Sequence, residues 1–203
     1  ATLAEHVAES IGANSLLVRV MALCHDIGKT MRPEYFTENQ KQGINPHNNI
    51  DPLQSVKIIT GHVEQGTALA NEYNIPSLVA AGIREHHGSS IIQYFYHKAL
   101  ENAKETGEEV KVEDYSYKGP KPQSKETAIL MLADIIEATS RSMTDTSPEA
   151  LSAMIHKTIE SRFTEGQFNE CNLSIKELFK LERAFLDSLD GTYHTRVKYP
   201  GQK

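Results

Sequence analysis

The chain has 203 residues, with 27 acidic against 21 basic side chains, a formal net charge of −6 and a pI near 5.9. Apolar residues at 39% and charged residues at 24% exclude a disordered chain, and the net acidity excludes a protein that coats a nucleic-acid polymer by releasing counterions. Two cysteines are too few for a disulfide framework, which points to a reducing compartment, and no apolar run reaches the roughly 18–20 residues that would cross a bilayer.

The spacing predicts an all-α chain, one compact multi-helix domain over 1–203, with room for a short extended piece near 110–117. Residues 1–12 form a helix, because Leu3, Ala4, Val7, Ala8 and Ile11 recur at three- and four-residue steps. No capping residue precedes that pattern, so the chain is read as a piece of something longer whose first helix is cut at its start. A second helix runs from Leu16 to about Asp26 and stops at Gly28; it is apolar on most sides and is expected to be buried. The polar stretch 32–51 exceeds the usual connection and is a candidate functional loop.

Asp51-Pro52 opens a helix through about Tyr73, Pro76-Ser77 opens another to His87 before Gly88, and 90–104 make a third. The break at 105–122 contains Gly107, an acidic run and Tyr117-Lys118-Gly119-Pro120-Lys121-Pro122. Helices are expected again at about 124–143, 148–164 and 174–190, the last ended by Gly191.

Polar residues inside these apolar helices carry the chemistry. Asp26, at the end of a buried helix, needs a positive neighbour, either a metal ion or Lys29, and His25 beside it can also sit on the helix dipole. His62 falls on the stripe of Ile58, Ile59, Gly66, Leu69 and Tyr73, as a core histidine bonded to a carbonyl or as a ligand. His86-His87 close a helix together, and two charged imidazoles there would repel each other; sharing metal ions removes the problem. Asp134, in the run Ala128 to Ile136, faces either a cation or Arg141. Six potential ligands exceed the four of a structural zinc site and suit two octahedral-type ions, iron or manganese, bridged by one carboxylate.

The string His25-Asp26-Ile27-Gly28-Lys29, the later His62, the His86-His87 doublet and Asp134 resemble the HD-domain metal-dependent phosphohydrolases. Arg32-Pro33-Glu34-Tyr35-Phe36, Asn45-Pro46-His47, His86-His87-Gly88, Tyr94-Phe95-Tyr96-His97, Gly119-Pro120-Lys121-Pro122-Gln123-Ser124-Lys125 and Tyr193-His194 narrow the resemblance. They are similar to the cytoplasmic HD domain of the bacterial seven-transmembrane HD family of cyclic-di-AMP phosphodiesterases, from Leu3-Ala4-Glu5 to Tyr199-Pro200. The resemblance implies that Asp26 bridges two metal ions, that His25 and Asp134 hold one, and that His62, His86 and His87 hold the other. The family's further metal-binding histidine falls before Ala1, and His6 is read as a surface residue, which leaves the first metal site weakened or completed by water.

The resemblance also implies hydrolysis of cyclic-di-AMP to linear pApA, by a hydroxide that two cations make available near neutral pH. Asp26 and Lys29 are the catalytic candidates, with Lys29 at the phosphate. Asn39, His47, Tyr117, Lys118 and Lys121 are candidates for the nucleotide, although His47 in a polar loop can equally be solvated. The domain spans no membrane itself, and the resemblance tethers it to the cytoplasmic face of the bacterial membrane. The alternatives are a cyclic-dinucleotide sensing module without turnover, an HD hydrolase acting on guanosine tetraphosphate, or one acting on cyclic-di-GMP; for the last, the Gly-Tyr-Pro segment of that group is replaced here by Gly88-Ser89-Ser90.

Overall fold

The computed structural model describes residues 1–40 and 45–194; the Tyr199-Pro200 segment and the side chains of Tyr193 and His194 lie outside the described residues. Eight α-helices follow one another: α1 (Thr2–Glu9), α2 (Ser15–Cys24), α3 (Pro52–Glu72), α4 (Ser77–Glu85), α5 (Gln93–Thr106), α6 (Lys125–Ser142), α7 (Pro148–Thr164) and α8 (Ile175–His194). Among the described residues there is no strand, and the all-α class expected from the spacing is the one found. None of these helices is long and apolar enough to cross a membrane. The chain divides into two compact units, Ala1–Ala22 with Pro122–Lys203, and Leu23–Lys121.

The first unit is a helical cluster whose ends are set by side-chain caps. Ser124 and Thr127 form a reciprocal capping box at the start of α6, and Ser147 ahead of Pro148 caps α7. Ser174 and Glu177 cap the start of α8 reciprocally, Glu177 taking the Ser174 N–H at 2.9 Å. Apolar stripes of α1, α6, α7 and α8 meet in one core around Val7, Ile129, Leu132, Ile155, Leu181 and Phe185. Burial of these side chains stabilises each by about 1.5–3 kcal/mol over leaving it in water.

The second unit contains α3, α4, α5 and a series of 3-10 turns. Asp51 accepts hydrogen bonds from the Leu53 and Gln54 amides at 2.8 and 3.4 Å, and Pro52 occupies the first helical position, so α3 begins where the sequence places it. Its apolar clusters are small, one around Val56, Phe95, Ala99 and Tyr115 and one around Ala70, Ala80 and Ile83. This unit therefore leans on close backbone packing and on polar contacts more than the first does.

Several elements differ from expectation. α2 ends at Cys24, so His25 and Asp26 lie beyond the helix and lead into a 3-10 turn over Ile27–Met31. Its expected all-round burial is also not found: Val18 and Met21 are buried, whereas Leu16 and Leu23, seven residues apart on the opposite line, are 66% and 67% exposed. The stretch 32–51 is largely 3-10 turns at Pro33–Tyr35, Thr37–Asn39 and Pro46–Asn49, with 41–44 outside the described residues. The extended piece near 110–117 is reduced to a 3-10 turn at Val112–Tyr115 and a single antiparallel bridge from Ser116 to Ile91, because it has no partner strand. α8 continues through Gly191 to His194; one helix-interior glycine costs about 1 kcal/mol, too little to end a capped amphipathic helix.

Core position and surface position should separate cleanly in α8. Phe185→Ala, at a fully buried site, is expected to destabilise the chain by about 3–5 kcal/mol in urea denaturation. Phe179→Ala, at a site 66% exposed, should change stability by less than about 0.5 kcal/mol. Equal losses in the two variants would contradict this core.

Candidate metal centre

Gly28 brings the centre together. A Cβ at this position would lie 1.9 Å from the His62 carbonyl oxygen and 2.5 Å from the Gly66 amide nitrogen, so the Ile27–Met31 turn rests directly on the backbone of α3. Gly66 is required from the other side, since its own Cβ would meet Ile83 at 2.8 Å. No other residue fits at Gly28 without moving backbone, and the contact carries Asp26 to the His62 side chain. The expected role of Gly28 as a helix stop is replaced by this close approach.

The two oxygens of Asp26 have different surroundings. Oδ2 lies 2.7 Å from the Lys29 ammonium and 3.1 Å from His25 Nε2. Oδ1 is buried, accepts no hydrogen bond, and faces His62 Nε2 at 3.4 Å and His86 Nε2 at 3.7 Å. Burial on its own would raise the Asp26 carboxyl, but its neighbours, His25 first and Lys29 among them, outweigh it and hold the group far below the ordinary carboxylate range. The sequence left a metal ion and Lys29 open as partners of Asp26; Lys29 takes one oxygen and leaves the other.

The histidine tautomers follow from the backbone. His62 Nδ1 lies 2.6 Å from the Ile59 carbonyl, and His86 Nδ1 lies 3.0 Å from the carbonyls of Gly82 and Ile83. A carbonyl only accepts, so both Nδ1 atoms carry the proton and both Nε2 atoms present lone pairs in the neutral rings. Burial, reinforced by the neighbouring His86, lowers His62 to about 4, and burial likewise pushes His87 well below its usual value. His62 is thus neutral at pH 7. It is the carbonyl-bonded core histidine and, through its other nitrogen, a ligand-ready one.

Three lone-pair atoms consequently converge: Asp26 Oδ1, His62 Nε2 and His86 Nε2, with the two nitrogens 3.4 Å apart. Without a cation they repel one another. An atom at the centre of that triangle would lie about 2.0 Å from each corner, the length of a metal bond to imidazole nitrogen or carboxylate oxygen. His87 completes a group of four whose ligand atoms lie within 4.8 Å of one another. The donor set therefore fits a divalent metal ion, and the backbone carbonyls behind His62 and His86 supply the outer hydrogen bonds that orient metal-binding imidazoles.

Around this centre, Lys29 is shared between Asp26 and Glu38, the latter at 2.9 Å, and lies 5.3 Å from the Phe36 ring. Burial lowers the Lys29 ammonium, but Asp26 and Glu38 more than compensate and raise it. Phe36 sets its edge on His62 at 5.8 Å, and Tyr117 stacks on His87 with ring centroids 4.1 Å apart. Asn39 is exposed at the end of the turn that carries Glu38. Lys118 is exposed and donates to the Glu113 carbonyl, and Lys121 is half-buried.

His47 is not solvated. It is 5% exposed, its Nε2 donates to the Tyr35 carbonyl at 3.0 Å, and its ring lies against Tyr35 and Phe95. Asp134 is half-buried on α6 in the first unit. Arg141, expected as its alternative partner, instead pairs with Glu137 at 2.7 Å, four residues back, where helical geometry favours the contact. His6 is exposed, as expected. Glu38 and Phe36 escaped the sequence, since neither lies on a periodic element. Gly66 was legible as a small residue one turn after His62, on the same buried stripe.

A profile of the HD domain family matches residues 1–139. Over 203 residues the chain is 46% identical to the cyclic-di-AMP phosphodiesterase PgpH of Listeria monocytogenes serotype 1/2a (strain 10403S), covering 100% of this chain and 28% of that protein. Over 200 residues it is 42% identical to the cyclic-di-AMP phosphodiesterase PgpH of Bacillus subtilis (strain 168), covering 98% and 28%. The crystal structure of the L. monocytogenes phosphodiesterase PgpH HD domain in complex with cyclic-di-AMP superposes with a TM-score of 0.89 at 45% identity, over 95% of this chain and 88% of that one. The chain belongs to the HD domain family, a metal-dependent class, and spans little more than a quarter of the curated relatives' length.

Two outcomes follow from the geometry. Gly28→Ala should push the turn off α3, with a loss of at least about 2 kcal/mol in denaturant and loss of bound metal by elemental analysis; a variant that folds and keeps its metal would refute the contact. In chelated protein, the unfolded chain protonates His62 near pH 6.5 whereas the folded chain resists until about 4, so stability should fall as pH drops through that window. Denaturation midpoints between pH 7.5 and 4 measure this, and His62→Gln should flatten the slope.

Proposed function

We propose that this chain is the hydrolytic domain of a cyclic-di-AMP phosphodiesterase, converting the cyclic dinucleotide to linear pApA at two divalent ions, iron or manganese. The observation that carries the proposal is the convergence of Asp26 Oδ1, His62 Nε2 and His86 Nε2 about a common point. The two curated relatives are named for this activity, and the crystal structure with cyclic-di-AMP has the same fold at 45% identity. The mixed nitrogen and oxygen donor set favours iron or manganese over a thiolate-seeking metal.

In this proposal Asp26 would be shared by the two ions, His62, His86 and His87 would hold one of them, and His25 and Asp134 would hold the other; Asp134 enters from the family resemblance alone. Ions held there would supply a water of lowered pKa as nucleophile and would stabilise charge on the phosphate oxygens. Carbonyl bonds to Nδ1 of His62 and His86 turn their Nε2 atoms toward Asp26, and burial keeps His62 neutral at pH 7. Lys29 orients Asp26 through Oδ2, and it reaches a phosphate oxygen by releasing Glu38, whose side chain is 49% exposed and is the weaker hold.

Tyr117, kept in place by its stack on His87 and by its amide bond to the Ser90 carbonyl at 2.9 Å, offers a flat surface beside the centre for an adenine ring. Asn39, Lys118 and Lys121 contribute polar contacts to the nucleotide, while His47 supports the Tyr35-Phe36 turn from inside. Both units together serve as one HD domain, since the family profile covers parts of each. The domain works at the cytoplasmic face of a bacterial membrane, to which the rest of the protein tethers it.

Metal analysis combined with chromatography of products from cyclic-di-AMP and cyclic-di-GMP tests the proposal. Two equivalents of iron or manganese and pApA from cyclic-di-AMP are expected. Asp26→Ala should lose both ions and reduce turnover to background. Full activity in that variant would refute the bridging role, and tight binding of cyclic-di-AMP with no product from the metal-loaded chain would make it a sensor instead.

A further inference from the structure

A stripe of α3 about a quarter-turn round from His62, including the buried Ile58, forms an open hollow of mixed lining. Gln54, Lys57, Gly61, Glu64 and Gln65 line it together with Arg32 from the turn opposite, enclosing about 340 Å³. That volume is at the lower end of small-molecule sites. Arg32 opens the segment Arg32-Pro33-Glu34-Tyr35-Phe36, in which Tyr35 holds His47 and Phe36 touches His62, but the Arg32 guanidinium has no part in the metal centre. Among the described residues neither Arg32 nor Lys57 has an ion-pair partner, in contrast to Arg19, Lys29, Lys125, Arg141 and Arg162.

Gly61 gives the second observation. Gly28 and Gly66 are dictated by packing, but a Cβ at Gly61 would meet only the Gln65 amide, at 3.8 Å. A helix-interior glycine is a destabilising choice against alanine when nothing crowds it. Here it leaves the α3 backbone bare in the lining of the hollow, where a ligand can approach closely.

We propose that this hollow is a second ligand site, separate from the metal centre, that takes a phosphorylated sugar. Arg32 and Lys57 hold the phosphate, Arg32 through paired N–H donors that match two phosphate oxygens. Glu64 is the carboxylate of the lining; it accepts hydrogen bonds from sugar hydroxyls, and the Gln54 and Gln65 amides serve the remaining polar groups. The lining has no aromatic ring, so a nucleobase has nothing to stack on and the ribose-phosphate end is the part recognised.

Calorimetric titration of the manganese-loaded chain with ribose 5-phosphate and with inorganic phosphate tests the site. Ribose 5-phosphate should bind more tightly, and its affinity should persist in Asp26→Ala. It should fall at least tenfold in the Arg32→Ala/Lys57→Ala double variant. Gly61→Ala should raise the unliganded melting temperature by about 3 °C yet weaken binding at least fivefold, a combination that a purely structural glycine would not give. Absence of binding to the parent chain at millimolar sugar phosphate, binding lost in Asp26→Ala but kept in the double variant, or equal affinity for the two probes would overturn the proposal.

Discussion

The metal centre depends on one contact, in which a turn with no side chain at Gly28 lies on the backbone of α3 at His62 and Gly66. Atoms that would collide with a single methyl group fix the height of Asp26 over the helix. Gly66 lets Ile83 of α4 approach, and His86-His87 follow α4 directly, so the two glycines together bring three ligand-bearing segments to one place. Interiors packed this closely transmit such steric limits with little slack. The small apolar clusters of this unit could not achieve the same register by burial alone.

On that frame the electrostatics are arranged by hydrogen bonding more than by net charge. Backbone carbonyls hold the Nδ1 protons of His62 and His86, burial keeps His62 and His87 uncharged, and Lys29 satisfies one side of Asp26. What remains is Asp26 Oδ1 with the Nε2 atoms of His62 and His86 turned toward it, a geometry that favours a cation. A chain of net charge −6 can therefore deal with a phosphodiester, because bound cations dominate the local field whatever the surface carries.

The helices were largely legible because their signals are local. Asp51-Pro52, Ser147-Pro148 and the Ser124-Thr127 box mark helix starts through bonds made within four residues. The errors lie where distant parts decide: α2 was judged buried from its composition, yet Leu16 and Leu23 are exposed because only one line of it meets a core. Gly191 looked like a stop, but α8 passes through it, and Gly28 looked like a cap, but its service is to α3.

The sequence by itself determined the helical class, the six candidate ligands and the resemblance to the HD family, since residue identity and spacing are enough for each. Tertiary structure decided that His47 packs inside against Tyr35 and Phe95, and that Glu38 and Phe36 flank the site. It also decided that His62 and His86, whose tautomers local carbonyls set, both meet Asp26. The reason is range: caps and periodicity act over a few residues, whereas lone pairs converge only when a glycine turn and two helices from separate stretches are pressed together.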